Sequence, residues 1–383
     1  MTNTPLQTQP GDPNAMQFDF GANWADYIAK NFSEERVRIS QQHLLNFLKL
    51  TDLNGKTFLD VGCGSGLHSL AAWRAGAERV ISFDLDGNSV TTTQKLHAFS
   101  GSPENWQILQ GSVLDANFLA TLPKADIVYS WGVLHHTGAM WQAVENAAGL
   151  LHDESVFYIA LYSKDMYVDP PAEYWLTVKR RYNSANPLMK RWMVWCYAWD
   201  ETIKRSLKKR KNPFKYILEY KKSRGMSYWH DVKDWLGGYP MDFAGNQETV
   251  AFAKQRLNLE LLNIKAGEGN TEYLFAKPGA QNYWVQVMRG TVLVNLDKPF
   301  TALNGHAWRV DLSDWAESLG DPLKFMLYEN GLPVGWPNAP RYAIEQWGKG
   351  RYRIEDNGLI FSATDNSDPN QAGKTYSFRT DFI

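Results

Sequence analysis

The chain has 383 residues, which exceeds the usual size of one domain and makes two domains the default expectation. Its formal net charge of −1 excludes a global field that would attract nucleic acid or an anionic membrane, so either partner would need a local patch. Hydrophobic residues make up 44% of the chain and aromatic residues 14%, which is enough for sizeable cores.

The first 16 residues are polar, contain three prolines and lack the basic-then-apolar pattern of a signal peptide, so they are predicted to form a flexible tail. No apolar stretch of the sequence approaches the roughly 20 residues that cross a bilayer. The two cysteines, Cys63 and Cys196, argue against a disulfide framework. Together these features predict a cytoplasmic protein without a membrane span.

The segment Phe58–Leu67 is the most informative part of the chain. It reads as an apolar strand that contains Asp60 and runs into three glycines placed two apart, Gly62, Gly64 and Gly66. Because these residues lack Cβ, the backbone can turn tightly from strand to helix and approach a ligand closely. Taken alone, the glycine triplet is also compatible with an ordinary tight turn.

A second apolar strand, Arg79–Phe83, is followed by Asp84, which lies 18 residues beyond the last glycine of the triplet. At that distance a carboxylate can accept both hydroxyls of an adenosine ribose. A dinucleotide fingerprint needs glycine at the position of Leu67, so a nicotinamide cofactor is the weaker interpretation.

Further strands are predicted along the chain from apolar runs. The third, fourth and fifth lie in Asn105–Asp115, Asp126–His136 and Ser155–Tyr162. Two short strands, Leu257–Lys265 and Thr271–Lys277, are joined by a glycine-rich loop that favours an antiparallel hairpin.

This order of motifs resembles the class I S-adenosylmethionine-dependent methyltransferases over about residues 17–280. The resemblance implies an α/β fold with a Rossmann-like seven-stranded sheet, a final antiparallel strand and S-adenosylmethionine as the cofactor. It implies cofactor contacts from Asp60, Gly62, Gly64, Gly66, Asp84, Leu85, Ser112, Val113, Ser130 and Trp131. Many relatives carry an acid beside the adenine position, where this chain has Ser112 and Val113. The segment Ser130–Gly138 resembles a bacterial subgroup linked with surface-glycan or small-metabolite modification.

An insertion of about 80 residues, Ser163–Ala244, separates the fifth and sixth strands, which is far longer than such connections usually are. It carries aromatic residues at helical spacing and a basic stretch, Lys204–Lys222, that contains Lys208–Lys211. One interpretation is a helical cap that covers the cofactor and holds an acceptor by stacking and charge. The other, favoured for the basic stretch, is an amphipathic helical hairpin whose Lys and Arg side chains snorkel.

Acceptor contacts are expected where the insertion returns to the sheet, because ligands enter above the carboxyl ends of the strands. His230, Asp231, Trp235 and Tyr239 lie in this returning segment. Trp24, near the start of the resembling region, is a further candidate for substrate binding. For His230 and Asp231, capping of a helix is an equal alternative.

Two adjacent histidines, His135 and His136, follow the fourth strand directly. There one imidazole could face the methyl group and take a proton from a hydroxyl acceptor, with a pKa near the ordinary value of about 6.5. His135 is slightly favoured, and His230 and Asp231 are the next candidates. A structural role, with one ring bonded to a loop carbonyl, is an equal alternative.

The pattern changes in residues 281–383, where short apolar runs are separated by turn-rich segments. The runs Tyr283–Met288, Leu323–Tyr328 and Leu359–Ser362 predict an all-β, sandwich-like domain. Its aromatic residues could bind carbohydrate, although such residues usually form the core of a small sandwich. Oligomer contact is the competing role.

The sequence therefore predicts an enzyme that methylates a small polar acceptor, with oxygen of a sugar or related metabolite ahead of nitrogen. The expected partner is a small molecule or glycan; no nucleic acid is expected, and a homo-oligomer stays open. An RNA or protein methyltransferase, suggested by Lys208–Lys211, is one alternative. A noncatalytic glycan-binding or assembly protein on the same scaffold is another. No metal is predicted, because Cys and His lack zinc spacing and the carboxylates are scattered.

Overall fold

The computed structural model describes residues 33–167, 170–204, 212–224, 228–266, 269–281, 294–315, 325–371 and 373–379. Trp24, the predicted tail and Lys208–Lys211 lie outside the described residues. The chain divides into two compact units, Met1–Leu150 with Asp169–Asp242, and Leu151–Val168 with Phe243–Ile383. The boundary expected near residue 281 falls inside the second unit and stays a prediction.

The first unit begins with helix α1 and then alternates strands with helices, as the apolar runs predict. Helix α1 (Glu34–Leu48) is capped by Ser33, whose side chain accepts a hydrogen bond from the Arg36 amide. The strands are β1 (Thr57–Val61), β2 (Arg79–Asp84), β3 (Trp106–Gln110) and β4 (Ala125–Trp131). The helices are α2 (Leu67–Arg74), α3 (Gly87–Phe99), α4 (Ala116–Ala120) and α5 (Met140–Ala148).

Strand β1 lies between β2 and β4, strand β2 also pairs with β3, and all these pairings are parallel. Parallel strands are covered on both faces, so they favour continuous apolar runs. Phe58, Leu59 and Val61 of β1 are accordingly fully buried. Because the four strands run in the same direction, their carboxyl ends bring the predicted cofactor residues to one edge of the sheet.

The described part of the insertion in the first unit is mainly helical. Its helices are α6 (Ala172–Ser184), α7 (Pro187–Tyr197), a π-helical continuation (Ala198–Lys204), α8 (Pro213–Arg224) and α9 (Tyr228–Gly237). They share a core of Tyr182, Met193, Val194, Ala198, Tyr220, Tyr228, Val232 and Leu236. Helical packing thus accounts for many of the aromatic residues in this segment.

The second unit contributes β5 (Leu151–Tyr162), α10 (Asn246–Arg256), β6 (Glu260–Ala266) and β7 (Asn270–Ala276). Strand β7 pairs antiparallel with both β5 and β6, as the predicted hairpin requires. The buried Tyr158 hydroxyl of β5 donates to Glu272 of β7. The complete sheet order is β3-β2-β1-β4-β5-β7-β6, which confirms the predicted α/β, Rossmann-like seven-stranded sheet.

The remainder of the second unit contains two four-stranded antiparallel sheets. The shorter strands are β8 (Val294–Asn295), β9 (Thr301–Ala302), β10 (Trp308–Asp311), β11 (Met326–Glu329), β12 (Leu332–Pro333), β13 (Tyr352–Glu355), β14 (Gly358–Phe361) and β15 (Tyr376–Arg379). One sheet has the order β13-β14-β10-β9 and the other β12-β11-β15-β8.

The two sheets meet through aromatic side chains, as in a sandwich. The ring centroids of Phe361 on β14 and Tyr376 on β15 lie 5.0 Å apart, and Phe300 packs on both rings. The prediction of a strand-rich C-terminal region is confirmed. A short helix, α11 (Arg341–Gln346), interrupts the expected all-β pattern. The predicted strand at Tyr283–Met288 lies outside the described residues.

Candidate active site

The glycine loop is fixed to the end of β2 by backbone hydrogen bonds. The amides of Gly62 and Cys63 both donate to the Phe83 carbonyl, at 2.8 and 3.0 Å. The Gly66 amide then closes the turn by donating to the Cys63 carbonyl at 2.8 Å. Gly62, Gly64 and Gly66 have φ values of 78°, 54° and 76°, a left-handed region that glycine adopts readily.

At Gly62 and Gly66, side chains packed on the loop also leave no space for a Cβ atom. A Cβ on Gly62 would lie 2.3 Å from Cγ1 of Val133, and one on Gly66 would lie 2.7 Å from Cγ2 of Thr93. Both distances are far below van der Waals contact. Val133 and Thr93 therefore belong to the site as residues that shape the loop, although neither carries a sequence signal for that role.

Asp84, at the end of β2, holds the loop through its carboxylate. Oδ2 accepts from the Gly64 amide and Oδ1 from the Asp86 amide, each at 2.9 Å. Burial raises the pKa of this carboxyl, and the two amide bonds oppose that rise. Since each carboxylate oxygen has two lone pairs, both oxygens can accept a further bond from a ligand hydroxyl.

Asp60 in β1 lies at the end of a buried chain of hydrogen bonds. Trp106 Nε1 donates to Ser82 Oγ at 2.8 Å, Ser82 donates to Ser69 Oγ at 2.8 Å, and Ser69 donates to Asp60 Oδ2 at 2.5 Å. Burial nevertheless raises the pKa of Asp60 to about 7, and the charge of nearby Asp84 adds to the rise. One buried and one partly buried carboxylate with raised pKa values favour a cationic ligand, because a positive charge would stabilise their ionised forms.

The predicted adenine side lies where β2 and β3 end. Leu85 is half exposed, and its carbonyl accepts from Gln110 Nε2 at 3.1 Å. Ser112 Oγ accepts from the Leu114 amide at 3.1 Å, which makes this hydroxyl part of a turn. The Val113 side chain is buried, and its carbonyl accepts from Asn146 Nδ2 of α5 at 2.9 Å. Gln110 and Asn146 are thus supports of this edge that the sequence did not reveal.

The exit of β4 combines one buried and one exposed predicted contact. Ser130 is fully buried, and its hydroxyl donates to the Val61 carbonyl at 2.8 Å, which gives it a structural part in the sheet. Trp131 is exposed, with its ring 6.1 Å from that of His68. Gly132 follows with φ 75°, and a Cβ built there meets no atom within 4 Å, so the backbone faces open space.

The two histidines lie in a short 3₁₀ helix, Leu134–His136, with ring centroids 4.4 Å apart. Nδ1 of His136 lies 2.8 Å from the Pro240 carbonyl oxygen. A carbonyl oxygen only accepts, so Nδ1 carries the proton and Nε2 is the basic nitrogen of the neutral ring. His135 is buried, and its own carbonyl accepts from the Asp242 amide at 2.7 Å.

The expected histidine pKa near 6.5 is wrong for both rings. Burial lowers the pKa of His135 well below the ordinary value, and the charges of His136 and Lys179 act in the same direction. Burial also lowers the pKa of His136 to about 4, although the bond to Pro240 opposes that change. Both imidazoles are therefore neutral at physiological pH, which is the protonation state required of a base.

Lys179 of α6 brings a buried positive charge near these histidines. Its ammonium lies 3.9 Å from the ring centroid of Trp235 and donates to the Trp235 carbonyl. Trp235, a predicted acceptor contact, is thus part of a cation–π pair. Tyr239 is also a predicted acceptor contact, and its hydroxyl accepts a hydrogen bond from Arg180 Nε at 3.1 Å. No sequence pattern links Lys179 with Trp235, because 56 residues separate them.

The remaining predicted acid–base residues lie in α9. Asp231 accepts a hydrogen bond from the Tyr220 hydroxyl of α8, inside the helical insertion. His230 occupies the preceding position of the same helix. Their assignment to catalysis stays a prediction. Among the described residues, no group of three or more His, Cys, Asp or Glu side chains is arranged to hold a metal ion.

The sequence model of a protein family described as a methyltransferase domain matches residues 59–159. This range includes all the residues assigned to the cofactor, as well as His135 and His136. Ribosomal protein L11 methyltransferase from Yersinia pseudotuberculosis is 30% identical to this chain over 138 residues. The protein of that name from Tolumonas auensis is 27% identical over 135 residues. Each match covers 34% of this chain. The matched part makes up 45% of the Yersinia protein and 46% of the Tolumonas protein, so this chain spans less than half the length of these relatives.

Solved structures with partial similarity also include methyltransferases. An O-methyltransferase family protein from Burkholderia thailandensis superposes with a TM-score of 0.41 and 13% identity, covering 64% of this chain and 58% of that protein. Magnesium protoporphyrin IX methyltransferase from Synechocystis gives a TM-score of 0.39 and 13% identity, covering 67% and 93%.

Proposed function

We propose that this chain, whose residues 59–159 match a methyltransferase domain, is a class I S-adenosylmethionine-dependent enzyme that transfers a methyl group to an oxygen atom of a small polar acceptor. A sugar or a related metabolite is the acceptor class we favour. The Asp84 carboxylate is the main support for this cofactor. It lies at the end of β2, accepts the Gly64 and Asp86 amides, one on each oxygen, and keeps a lone pair on each oxygen for a ribose hydroxyl.

The residues at this edge fit S-adenosylmethionine by shape and by charge. Asp84 would accept the ribose hydroxyls, and Leu85 with the backbone at Ser112 and Val113 would border the adenine. Because Gly62, Gly64 and Gly66 have no Cβ, they would allow close approach of the amino-acid portion. Asp60 would supply negative charge toward the cationic groups, with Trp131 at the open side. Ser130 would act through the sheet, since its hydroxyl is bound to Val61.

When bound, S-adenosylmethionine supplies a methyl group that its sulfonium already activates. The protein must then place an acceptor lone pair in line with that methyl group, and such positioning accounts for most of the catalysis. The exposed Trp131 and the backbone of Gly132 stand where β4 ends and can limit the approach of the acceptor.

A hydroxyl acceptor must also lose a proton. We assign the role of the base that takes this proton to His136 in preference to His135. The Pro240 carbonyl fixes the proton of His136 on Nδ1 and leaves Nε2 as the basic nitrogen. The same hydrogen bond to Pro240 also orients the ring, a function that either a backbone carbonyl or a carboxylate can serve. Trp235 and Tyr239 stay our candidates for acceptor contact, since Lys179 and Arg180 hold them at defined positions.

Protein methylation is the second candidate function, because the curated relatives are named for the methylation of a ribosomal protein. The test is to incubate the full chain with S-adenosylmethionine labelled in its methyl group and with a fractionated cell extract. The expected result is label in small molecules, with mass spectrometry locating the labelled methyl group on an oxygen atom. Label retained on protein would favour the second candidate, and no enzyme-dependent label in any fraction would contradict both.

A further inference from the structure

A stripe of large apolar side chains on α7 and its π-helical continuation faces solvent. Leu188, Trp192, Trp195 and Trp199 are each more than half exposed. They are spaced four, three and four residues apart, which places them on one face of a helix. Helix α8 adds a pair at helical spacing, Phe214 and Leu218, with 69% and 80% of their surface exposed. We call these six residues the apolar stripe.

The apolar stripe does not lie on the face of α7 that packs in the core of the insertion. Met193, Val194 and Ala198 form part of the core of the insertion, and Met189 packs against it. These core residues alternate along the helix with the exposed ones, so α7 carries apolar residues on two opposite sides. An ordinary surface helix has a polar outer face, and an apolar one marks a site that contacts another phase or molecule.

The sequence around the stripe is strongly basic. Residues 187–224 contain twelve Lys or Arg and three Asp or Glu, a net charge of +9, whereas the rest of the chain has a net charge of −10. Arg191, Lys204 and Lys215 are exposed cations on the same helices as the apolar residues. Apolar and aromatic side chains flanked by Lys and Arg are the pattern of helices that lie in the interface of an anionic bilayer.

We propose that the helical insertion docks on an anionic lipid surface, with the apolar stripe in the boundary between headgroups and acyl chains. Tryptophan favours that boundary, and leucine and phenylalanine add buried apolar area. The cations meet lipid phosphates while their methylene stems lie along the apolar face. Among the described residues, no helix is long and apolar enough to cross a membrane.

Charge argues for lipid over the other occupants of such a face. A second copy of the chain would bring two segments of net charge +9 together, and that repulsion disfavours a dimer through this face. A nucleic acid matches the charge and could stack on tryptophan, but Leu188 and Leu218 offer a base neither a ring nor a hydrogen bond. A bilayer matches both the charge and the aliphatic side chains.

The test is flotation of the full chain with vesicles of phosphatidylcholine alone or with about 30% phosphatidylglycerol. Wild-type protein should float with the anionic vesicles and much less with the neutral ones, and added salt should weaken binding. Trp192→Gln/Trp195→Gln/Trp199→Gln should reduce binding about tenfold or more, since apolar burial is lost. Lys190→Gln/Arg191→Gln should reduce it by about fivefold per charge removed.

Lys95→Gln/Phe99→Gln on α3 is the matched control, because it removes one exposed cation and one exposed aromatic ring outside the insertion. It should bind vesicles like wild type. The proposal is overturned if wild type binds neither vesicle, or if the triple tryptophan variant floats like wild type. It is also overturned if polyuridylate binds in place of vesicles, or if sedimentation shows a dimer that the tryptophan substitutions dissociate.

Discussion

Replacing Asp84 with Asn should weaken S-adenosylmethionine binding about 10- to 100-fold. The carboxylate accepts the Gly64 and Asp86 amides, one on each oxygen, and keeps a lone pair on each for a ribose hydroxyl. Asparagine has the same shape but one acceptor oxygen, so its amide nitrogen would face one of the backbone donors. The variant therefore loses both the charge and the symmetry of the ribose site.

The magnitude follows from hydrogen bonds to a charged group, which contribute about 1.5–3 kcal/mol. At about 1.4 kcal/mol per factor of ten, this is roughly one to two orders of magnitude in Kd. Because the same carboxylate holds the glycine loop, the free energy of unfolding of the ligand-free variant should also fall by about 1–3 kcal/mol.

Titration calorimetry of S-adenosylmethionine into the full chain measures the effect. The matched control is Asp86→Asn, which removes the same charge two residues away. Asp86 caps α3 by accepting from the Asn88 amide, and asparagine caps as well as aspartate. Unchanged affinity in folded Asp84→Asn, or equal losses in both variants, would refute the assignment of Asp84 to the ribose.

Gly62→Ala should lower the free energy of unfolding by about 1–3 kcal/mol, because the new Cβ meets Val133 in a left-handed backbone. Denaturant unfolding should show partial recovery when Val133→Ala is added, and an unaltered midpoint for Gly62→Ala would contradict the packing argument. For Asp60, burial raises the folded pKa from 3.8 to about 7, so folding takes up a proton between these values. The contribution of Asp60 to stability is therefore full below about pH 4 and is lost as pH rises to about 7, by about 4 kcal/mol in all. Asp60→Asn should remove this decline from urea unfolding across that range, and the same decline in both proteins would rule Asp60 out as its source. His136→Ala should lower turnover on the methylated acceptor about 10²–10⁴-fold, with the acidic limb of the wild-type rate near pH 4, where His136 becomes protonated. Near-wild-type turnover would move the base elsewhere, with His135, His230 and Asp231 next to test.

The part of the site that the sequence predicts is encoded in continuous segments. Gly62, Gly64, Gly66 and Asp84 lie at the ends of neighbouring strands, and the apolar runs place those strands in order. Since parallel strands end at the same edge of the sheet, local patterns were sufficient to bring these residues together.

The rest depends on contacts between distant segments, which no local pattern reveals. His136 meets the Pro240 carbonyl across 104 residues, and that contact selects its tautomer. Lys179 reaches Trp235 in the same way. The pKa predicted for the histidines is wrong for a related reason. Burial in the folded chain lowers the pKa of both rings, and the adjacent sequence gives no measure of burial.

Helix α11 shows the limit for secondary structure. Its six residues, Arg341–Gln346, are too few to display a helical repeat, so the surrounding turn-rich strands dominated the prediction. The exposed stripe on α7 illustrates the opposite case. The aromatic spacing was evident in the sequence, but only the structure separates Trp192 and Trp195, which face solvent, from Met193 and Val194 in the core.

Hydrogen–deuterium exchange of the full chain with and without S-adenosylhomocysteine tests the central claim most directly, because it reports both binding and its location. The account predicts slower exchange in peptides that cover Gly62–Gly66, the segment after Asp84 and the exit of β4 at Trp131. Peptides from β14 in the C-terminal sheets should exchange at the same rate in both states. Equal exchange at the glycine loop with saturating ligand, or protection confined to other segments, would contradict a methyltransferase cofactor site at this edge of the sheet.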